Sequence, residues 1–289
     1  MRLRRVLPFS AALVCALAAA PAPAGAQSAP RFSTLDRVDD TSRFILEYGR
    51  HFFDEAGAFD MSAYRIDLAG QYAGERFGAF GHVGLSGVTF EGSGRSESYS
   101  GMTALELGGF YHAALGGGLA VVRASLVLPN ADDEFEGRVA NSSTGFQRLT
   151  DLVDGLGAYW GPRVSGSWSR RGSSYYTRFD LGLDTLSDAD DDRPPNESMY
   201  VVARFDAGLG VLAGDVSAGL EWVNVLRVDD DDDGDSMDFE KRHINSAALR
   251  LAWLGTYVQP ALTIITPLDD SVRGEVLVAM LGVDVLGLP

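Results

Sequence analysis

Cysteine is almost missing from this chain. The single one, Cys15, sits in an N-terminal stretch that reads as a leader. The mature chain therefore has no disulfide, no thiol nucleophile and no thiolate metal site. Histidine is scarce as well. His51, His82, His112 and His243 are the four, which leaves few places for a histidine-based catalytic centre. Positive charge is in short supply: 24 lysines and arginines face 40 acids, for a net charge of −16. Nucleic-acid binding needs basic side chains to displace counterions, so that class of partner is excluded. Long apolar runs are missing too. Residues 6–20 are too short to span a bilayer as a helix. Residues 247–268 are interrupted by Arg250, Gly255 and Pro260, and Val258, Thr263, Ile264 and Ile265 favour strand.

What is present begins with the leader. Arg2, Arg4 and Arg5 precede the apolar stretch, and Ala24-Gly25-Ala26 forms a small-residue cleavage site. Residues 1–26 are read as a signal peptide and Gln27 as the mature start. Removing three arginines and no acids moves the charge from −16 to −19. About 260 residues remain, long for a β-sandwich and ordinary for one barrel. Residues 27–42 are polar and aperiodic and read as a periplasmic tail.

From Arg43 onward, segments of alternating apolar and polar residues recur, each near the ~10 residues that a tilted transmembrane strand needs. They fall at 43–52, 62–72, 77–90, 102–112, 118–128, 156–168, 174–186, 199–212, 216–228, 242–254, 257–266 and 274–286. In the second, Tyr64, Ile66, Leu68, Gly70 and Tyr72 share one face, with Arg65, Asp67, Ala69 and Gln71 on the other. The connections sort by length. Residues 73–76, 113–117, 169–173, 213–215 and 255–256 are short, and most contain glycine, as tight hairpins require. Residues 53–61, 91–101, 129–155, 187–198, 229–241 and 267–273 are longer and mostly acidic. A membrane barrel has one side of tight turns and one of long loops, whereas a soluble sandwich has no reason to segregate them. The expected fold is all-β: a transmembrane antiparallel up-and-down β-barrel of about twelve strands over residues 43–289. Its short turns would be periplasmic and its acidic loops outside. A mean hydropathy near zero suits strands with one lipid face and one wet face. A soluble barrel is the rival, but paired charges on the minor faces suit a wet lumen better than a dry core.

Three strands carry an arginine and an aspartate two apart: Arg65-Ile66-Asp67, Arg178-Phe179-Asp180 and Arg204-Phe205-Asp206. Each pair lies on one strand face. Pairing by a constant sum of 384 would set Arg178 opposite Asp206 and Asp180 opposite Arg204. Opposed charges stabilise by roughly 0.2–1 kcal/mol each. These six, with Glu106, Arg123, Asp184, Glu221 and Arg250, are the expected lumen lining. They form either a structural lattice of ion pairs or a charge field that orients a solute in transit.

In the loop 129–155, Ser142, Ser143 and Thr144 are placed to cap a short helix with Phe146, Leu149, Leu152 and Val153 on one face. It would lie over the mouth as a cap or fold into the barrel as a constriction. Residues 229–240, DDDDDGDSMDFE, fit a calcium-loop template. Asp229, Asp231, Asp233, Asp235 and Glu240 are the candidate calcium ligands. An unbroken aspartate run matches that template by default, and a solvated acidic loop is the alternative. With 187–192 it could also bridge to lipopolysaccharide through divalent ions. No other cofactor is indicated. No catalytic signature is found: the spacing of His243 and Ser246 puts them on opposite strand faces, and His51 lies near Asp54 and Glu55.

Leu105-Glu106-Leu107-Gly108 leading into a glycine turn, a strand ending in Leu128-Pro129-Asn130-Ala131-Asp132, and Pro260 with Pro267-Leu268 together resemble the outer-membrane transporter family associated with meta-pathway phenol degradation. The resemblance spans roughly residues 104–285. It implies an outer-membrane barrel that carries hydrophobic or aromatic compounds, and it supplies no catalytic residues. Here Asn130-Ala131 replaces the family's turn pair, and the chain ends without a terminal aromatic. The functional expectation is passive or facilitated passage of small solutes across the outer membrane. The competing readings are a closed surface barrel acting through its acidic loops, and a surface hydrolase built on His51 or His243.

Overall fold

The computed structural model describes residues 30–54, 60–92, 95–129, 135–151, 159–188, 199–228, 243–269 and 273–287. Its strands are β1 (Arg43–Phe53), β2 (Asp60–Ala73), β3 (Phe77–Gly92), β4 (Arg95–Met102), β5 (Leu105–Leu115), β6 (Gly118–Leu128), β7 (Tyr159–Arg171), β8 (Tyr175–Asp188), β9 (Met199–Ala213), β10 (Val216–Arg227), β11 (His243–Trp253), β12 (Val258–Pro267) and β13 (Val276–Leu286). Every pairing is antiparallel. The order runs β2-β1-β13 and then down the sequence to β5 and β3, and β2 pairs with β3 to close a twelve-stranded barrel. The stretch 247–268 is the β11–β12 hairpin, not a spanning helix.

The alternation of faces follows the sequence. Along β1 the pattern is strictly buried-exposed from Arg43 to Phe52. The exposed set is apolar: Leu46, Tyr48, Leu68, Leu107, Leu181, Leu209, Leu249 and Leu281 all point outward, while arginines and carboxylates point in. A water-facing barrel would invert this, so the outer surface is a lipid face. Exposed aromatics stand at both ends, Tyr72, Phe77, Tyr175, Trp253 and Tyr257 at the turn end and Phe52 and Trp160 at the loop end, with Tyr48, Phe205 and Trp222 between. Between β5 and β6, Gly116 and Gly117 adopt φ of 60° and 77°, the left-handed geometry of a two-residue hairpin.

Three expectations need correction. The presumed loop 91–101 is largely strand: β4 pairs with the loop-end half of β3. Its residues, RSESYSGM, are mostly exposed on both faces, so no period-two signal marks them. At Thr103 the ladder passes to β5; the Thr103 amide donates to the Gly84 carbonyl at 2.9 Å, and its hydroxyl accepts from the Gly84 amide at 2.7 Å.

In the loop 129–155 the helix, α1 (Phe135–Ser143), ends at the expected cap residues instead of starting after them. The Ser142, Ser143 and Thr144 hydroxyls bond back to the Val139 and Ala140 carbonyls at its end. Such back-bonding competes with capping wherever these residues sit near a helix. Two 3-10 turns follow, Gly145–Gln147 and Leu149–Asp151, with Gln147, Leu149, Thr150 and Asp151 buried. The loop thus caps and constricts at once. Leu152 and Val153 lie outside the described residues.

The largest correction concerns the expected tail. Residues 31–39 are all buried inside the barrel. Pro30 and Arg31 lie near Arg43 and Leu286 around a pocket at the turn end. The segment therefore enters and leaves by the same mouth. Charged side chains stay buried only when paired, and those of this segment find partners on the wall.

Candidate functional site: a filled lumen

Some wall carboxylates find no base directly opposite on the neighbouring strands. Glu221 on β10 faces Gly208 and Ala248. Its carboxylate instead accepts the Ser33 amide at 2.9 Å, the Thr34 amide at 2.6 Å and the Thr34 hydroxyl at 2.6 Å. Asp284 on β13 takes Arg31 in a two-pronged contact at 2.9 and 2.8 Å, and the third Arg31 nitrogen reaches Glu47 on β1 at 2.7 Å. This bidentate geometry is the strong form of the arginine–carboxylate bond. Arg37 meets Glu47 at 3.2 Å, Asp67 at 3.6 Å and Asp151 closer still. Asp36 accepts from Arg123 at 2.7 Å and Ser165 at 2.8 Å, while its amide donates to Asp180 at 2.9 Å. Asp39 pairs with Arg43 and accepts from Gln71.

Phe32 and Leu35 give the segment an apolar side. Phe32 lies against Tyr176 with ring centroids 4.9 Å apart. The wall makes room there with inward glycines: a Cβ on Gly208 would stand 2.7 Å from the Phe32 ring, and one on Gly210 2.1 Å from that of Tyr176. From the other end, Arg148 donates to the Leu35 carbonyl and pairs with Asp151 at 2.7 Å. The Thr150 hydroxyl donates to the Thr34 carbonyl at 2.8 Å. Segment and loop thus meet in mid-lumen.

All eleven expected lining residues are buried on the inner face. They do not pair as expected. The β8–β9 register sets Asp180 opposite Asp206 and Arg178 opposite Gly208, a constant sum of 386 rather than 384. The physical pairs run along a strand or diagonally. Arg178 holds Asp180 at 2.8 Å, Arg65 holds Asp67 at 2.9 Å, and Arg204 reaches Asp184 at 2.9 Å. Arg163, absent from the expected set, joins Glu106 at 3.0 Å and Asp184 at 3.2 Å. The other missed members are Glu47, Asp284, Arg43 and the segment and loop residues. Glu47 stands alone on its inward face, and an isolated inward acid was the available sign that something must enter to meet it; Asp284 is also met by Arg43 of the adjacent strand. Among the described residues ten arginines and eleven carboxylates are buried. Over the described residues the lumen is close to neutral, so these side chains carry no large net charge that would select an ion.

Pockets remain at the two ends, about 610 Å³ at the turn end and about 280 Å³ at the loop end. Between them the described lumen is packed by the segment and the inward loop. His82 meets Asp67 at 2.9 Å, and His112 meets the Gly74 carbonyl at 3.0 Å. His243 sits with Asn224, Asn245 and Asp269, on the face of β11 opposite the buried Ser246. The candidate calcium ligands Asp229, Asp231, Asp233, Asp235 and Glu240 lie outside the described residues.

No protein-family model matches the chain, and no curated relative is detected. Among solved structures, the chain is similar to an outer-membrane channel from Pseudomonas putida F1. The TM-score is 0.60 at 13% identity, over 90% of this chain and 100% of that one. Looser likenesses are the NanC porin (TM-score 0.46, 12% identity, 85% and 100% covered) and the KdgM porin (TM-score 0.47, 7% identity, 84% and 99% covered). The shared feature is the barrel, a fold seen in outer-membrane channels. The resemblance to the phenol-degradation transporter family is compatible with it.

Proposed function

We propose that this protein is an outer-membrane channel for small solutes, held closed by residues 30–42 and the inward loop. The observation behind this reading is the chemistry of the filling. Most anchors between segment and wall are ion pairs or amide-to-carboxylate bonds, contacts that water or a polar solute can replace as the lumen hydrates. A permanent core would be expected to be apolar. The leader at residues 1–26 would deliver the chain for insertion, with the turn end in the periplasm. The family resemblance adds hydrophobic or aromatic compounds as the cargo class. The test is single-channel conductance of the refolded mature protein against a variant lacking residues 27–41. Discrete steps that grow on deletion are expected. Silence from both, with folding verified, would favour a closed barrel of structural or adhesive role, a reading that the packed lumen also supports.

In the outer loops, residues 229–240 would take up calcium and tie the barrel to neighbouring lipopolysaccharide. Calorimetry is expected to show uptake at about millimolar calcium, the range of exposed acidic sites. No heat at that concentration would reduce the stretch to a solvated loop.

A further inference from the structure

Most buried guanidiniums of the lumen are engaged through two or three nitrogens. Arg65 is engaged through one: its Nε donates to Asp67 at 2.9 Å, and Nη1 and Nη2 have no hydrogen-bond partner, although the residue is fully buried. Its surroundings share the deficit. The buried His51 ring lies against the Thr144 and Ala63 backbones, with neither nitrogen in a hydrogen bond of good geometry. The Gln147 side chain donates to Asp67 at 2.8 Å, and its oxygen is left unpartnered.

The three are brought together by register and by a glycine. Gly49 pairs with Arg65 and His51 with Ala63, so all four positions share one inner patch of β1 and β2. A Cβ on Gly49 would stand 2.0 Å from the Gln147 oxygen, so the glycine gives the Gln147 side chain of the inward loop its place over this patch. Above it lies an apolar cluster of Ala63, Val88 and Ala140, with Phe53, Met61 and Phe90 packed against it. His51, Phe53 and Met61 also line the pocket of about 280 Å³ at the loop end.

The unmet groups of this patch are chiefly donors, Nη1 and Nη2 of Arg65, against one acceptor, the Gln147 oxygen; the Arg65 charge is shared with Asp67, and the walls are apolar. A guanidinium fork with two free ends matches a carboxylate. A buried donor left unmet costs about 1–3 kcal/mol, more when charged, so a ligand that meets it gains accordingly. We propose that Arg65, flanked by His51 and Gln147, binds the carboxylate of a small acid whose apolar body rests against Phe53, Met61 and Ala63. Its place in transport rests on the channel reading; the binding itself does not.

The test is calorimetric titration of the refolded mature protein with benzoate and with benzyl alcohol, which has the same ring and no charge. Benzoate is expected to bind one to one and to be displaced by excess acetate. Benzyl alcohol, and benzoate with Arg65→Gln, should bind at least about tenfold more weakly, the loss expected of a charge-assisted pair. If Arg65→Gln does not fold, Ala63→Asp carries the comparison, because it sets the protein's own carboxylate beside Arg65 and should exclude benzoate. Equal binding of acid and alcohol, no effect of acetate, or no benzoate heat from a verified barrel would overturn the site. A barrel that binds benzoate but never conducts would keep the site and remove the channel. A conducting barrel indifferent to benzoate would do the reverse.

Discussion

The wall and the segment that fills it bury charge by opposite rules. On the wall, period two separates an apolar face from a charged one, and each strand carries both. In residues 31–39 there is no period; Arg31, Phe32, Ser33, Thr34, Leu35, Asp36, Arg37 and Val38 are buried in succession. A strand in the wall has two different solvents, lipid and lumen. The segment has one environment on every side, so every residue must be matched individually. Aperiodic polar sequence therefore has two meanings in a barrel protein. It is either a solvated tail or a piece fitted to specific partners.

Glu47 is where the two rules meet, since it lies on β1 and holds Arg31 and Arg37, with Arg148 at 3.8 Å. Glu47→Ala would take one buried carboxylate from Arg31 and from Arg37. The expected loss is about 3–5 kcal/mol in urea unfolding of the refolded barrel, the cost of breaking a buried pair. A change within about 0.5 kcal/mol, as for an ordinary surface substitution, would mean that the segment merely occupies space. A smaller effect sharpens the wall's side of the comparison. With the observed register, Arg178→Ala and Asp206→Ala should be additive within about 0.5 kcal/mol, whereas Arg178→Ala and Asp180→Ala should couple by ~0.5–3 kcal/mol in a double-mutant cycle. Strong coupling of Arg178 to Asp206 would restore the pairing expected from the sequence.

The strands were legible because lipid and lumen impose alternation on every residue. The tight turns were legible as well, since each short glycine-bearing connection marks a hairpin at one end. Register was not. A slip of one residue between β8 and β9 would turn every side chain to the wrong face, but a slip of two changes no face at all. The expected and observed pairings differ by two, and residues 189–198, which join these strands, are too long a connection to fix the choice. The filling segment was illegible by periodicity. Its trace was indirect, in Glu221 and Glu47, acids facing inward with no base two residues away on their own strands. Arg65 is the converse. Its lining role could be read from Arg65-Ile66-Asp67, but its unpaired nitrogens could not, because Asp67 turned out to be shared with His82, Arg37 and Gln147.

One contact reaches beyond the closed state. β1 and β13 are the first and last strands of the wall, and their pairing joins the two ends of the chain. Arg31 grips Glu47 on one and Asp284 on the other, and Arg43 also reaches Asp284, at 3.1 Å. The segment is therefore a clasp on the seam as well as a stopper. A contact between residues more than 250 apart cannot form before the last strand arrives. During assembly, sealing the cylinder and seating its N-terminal occupant become a single late event, and a chain caught before that point would be both unfastened and unfilled.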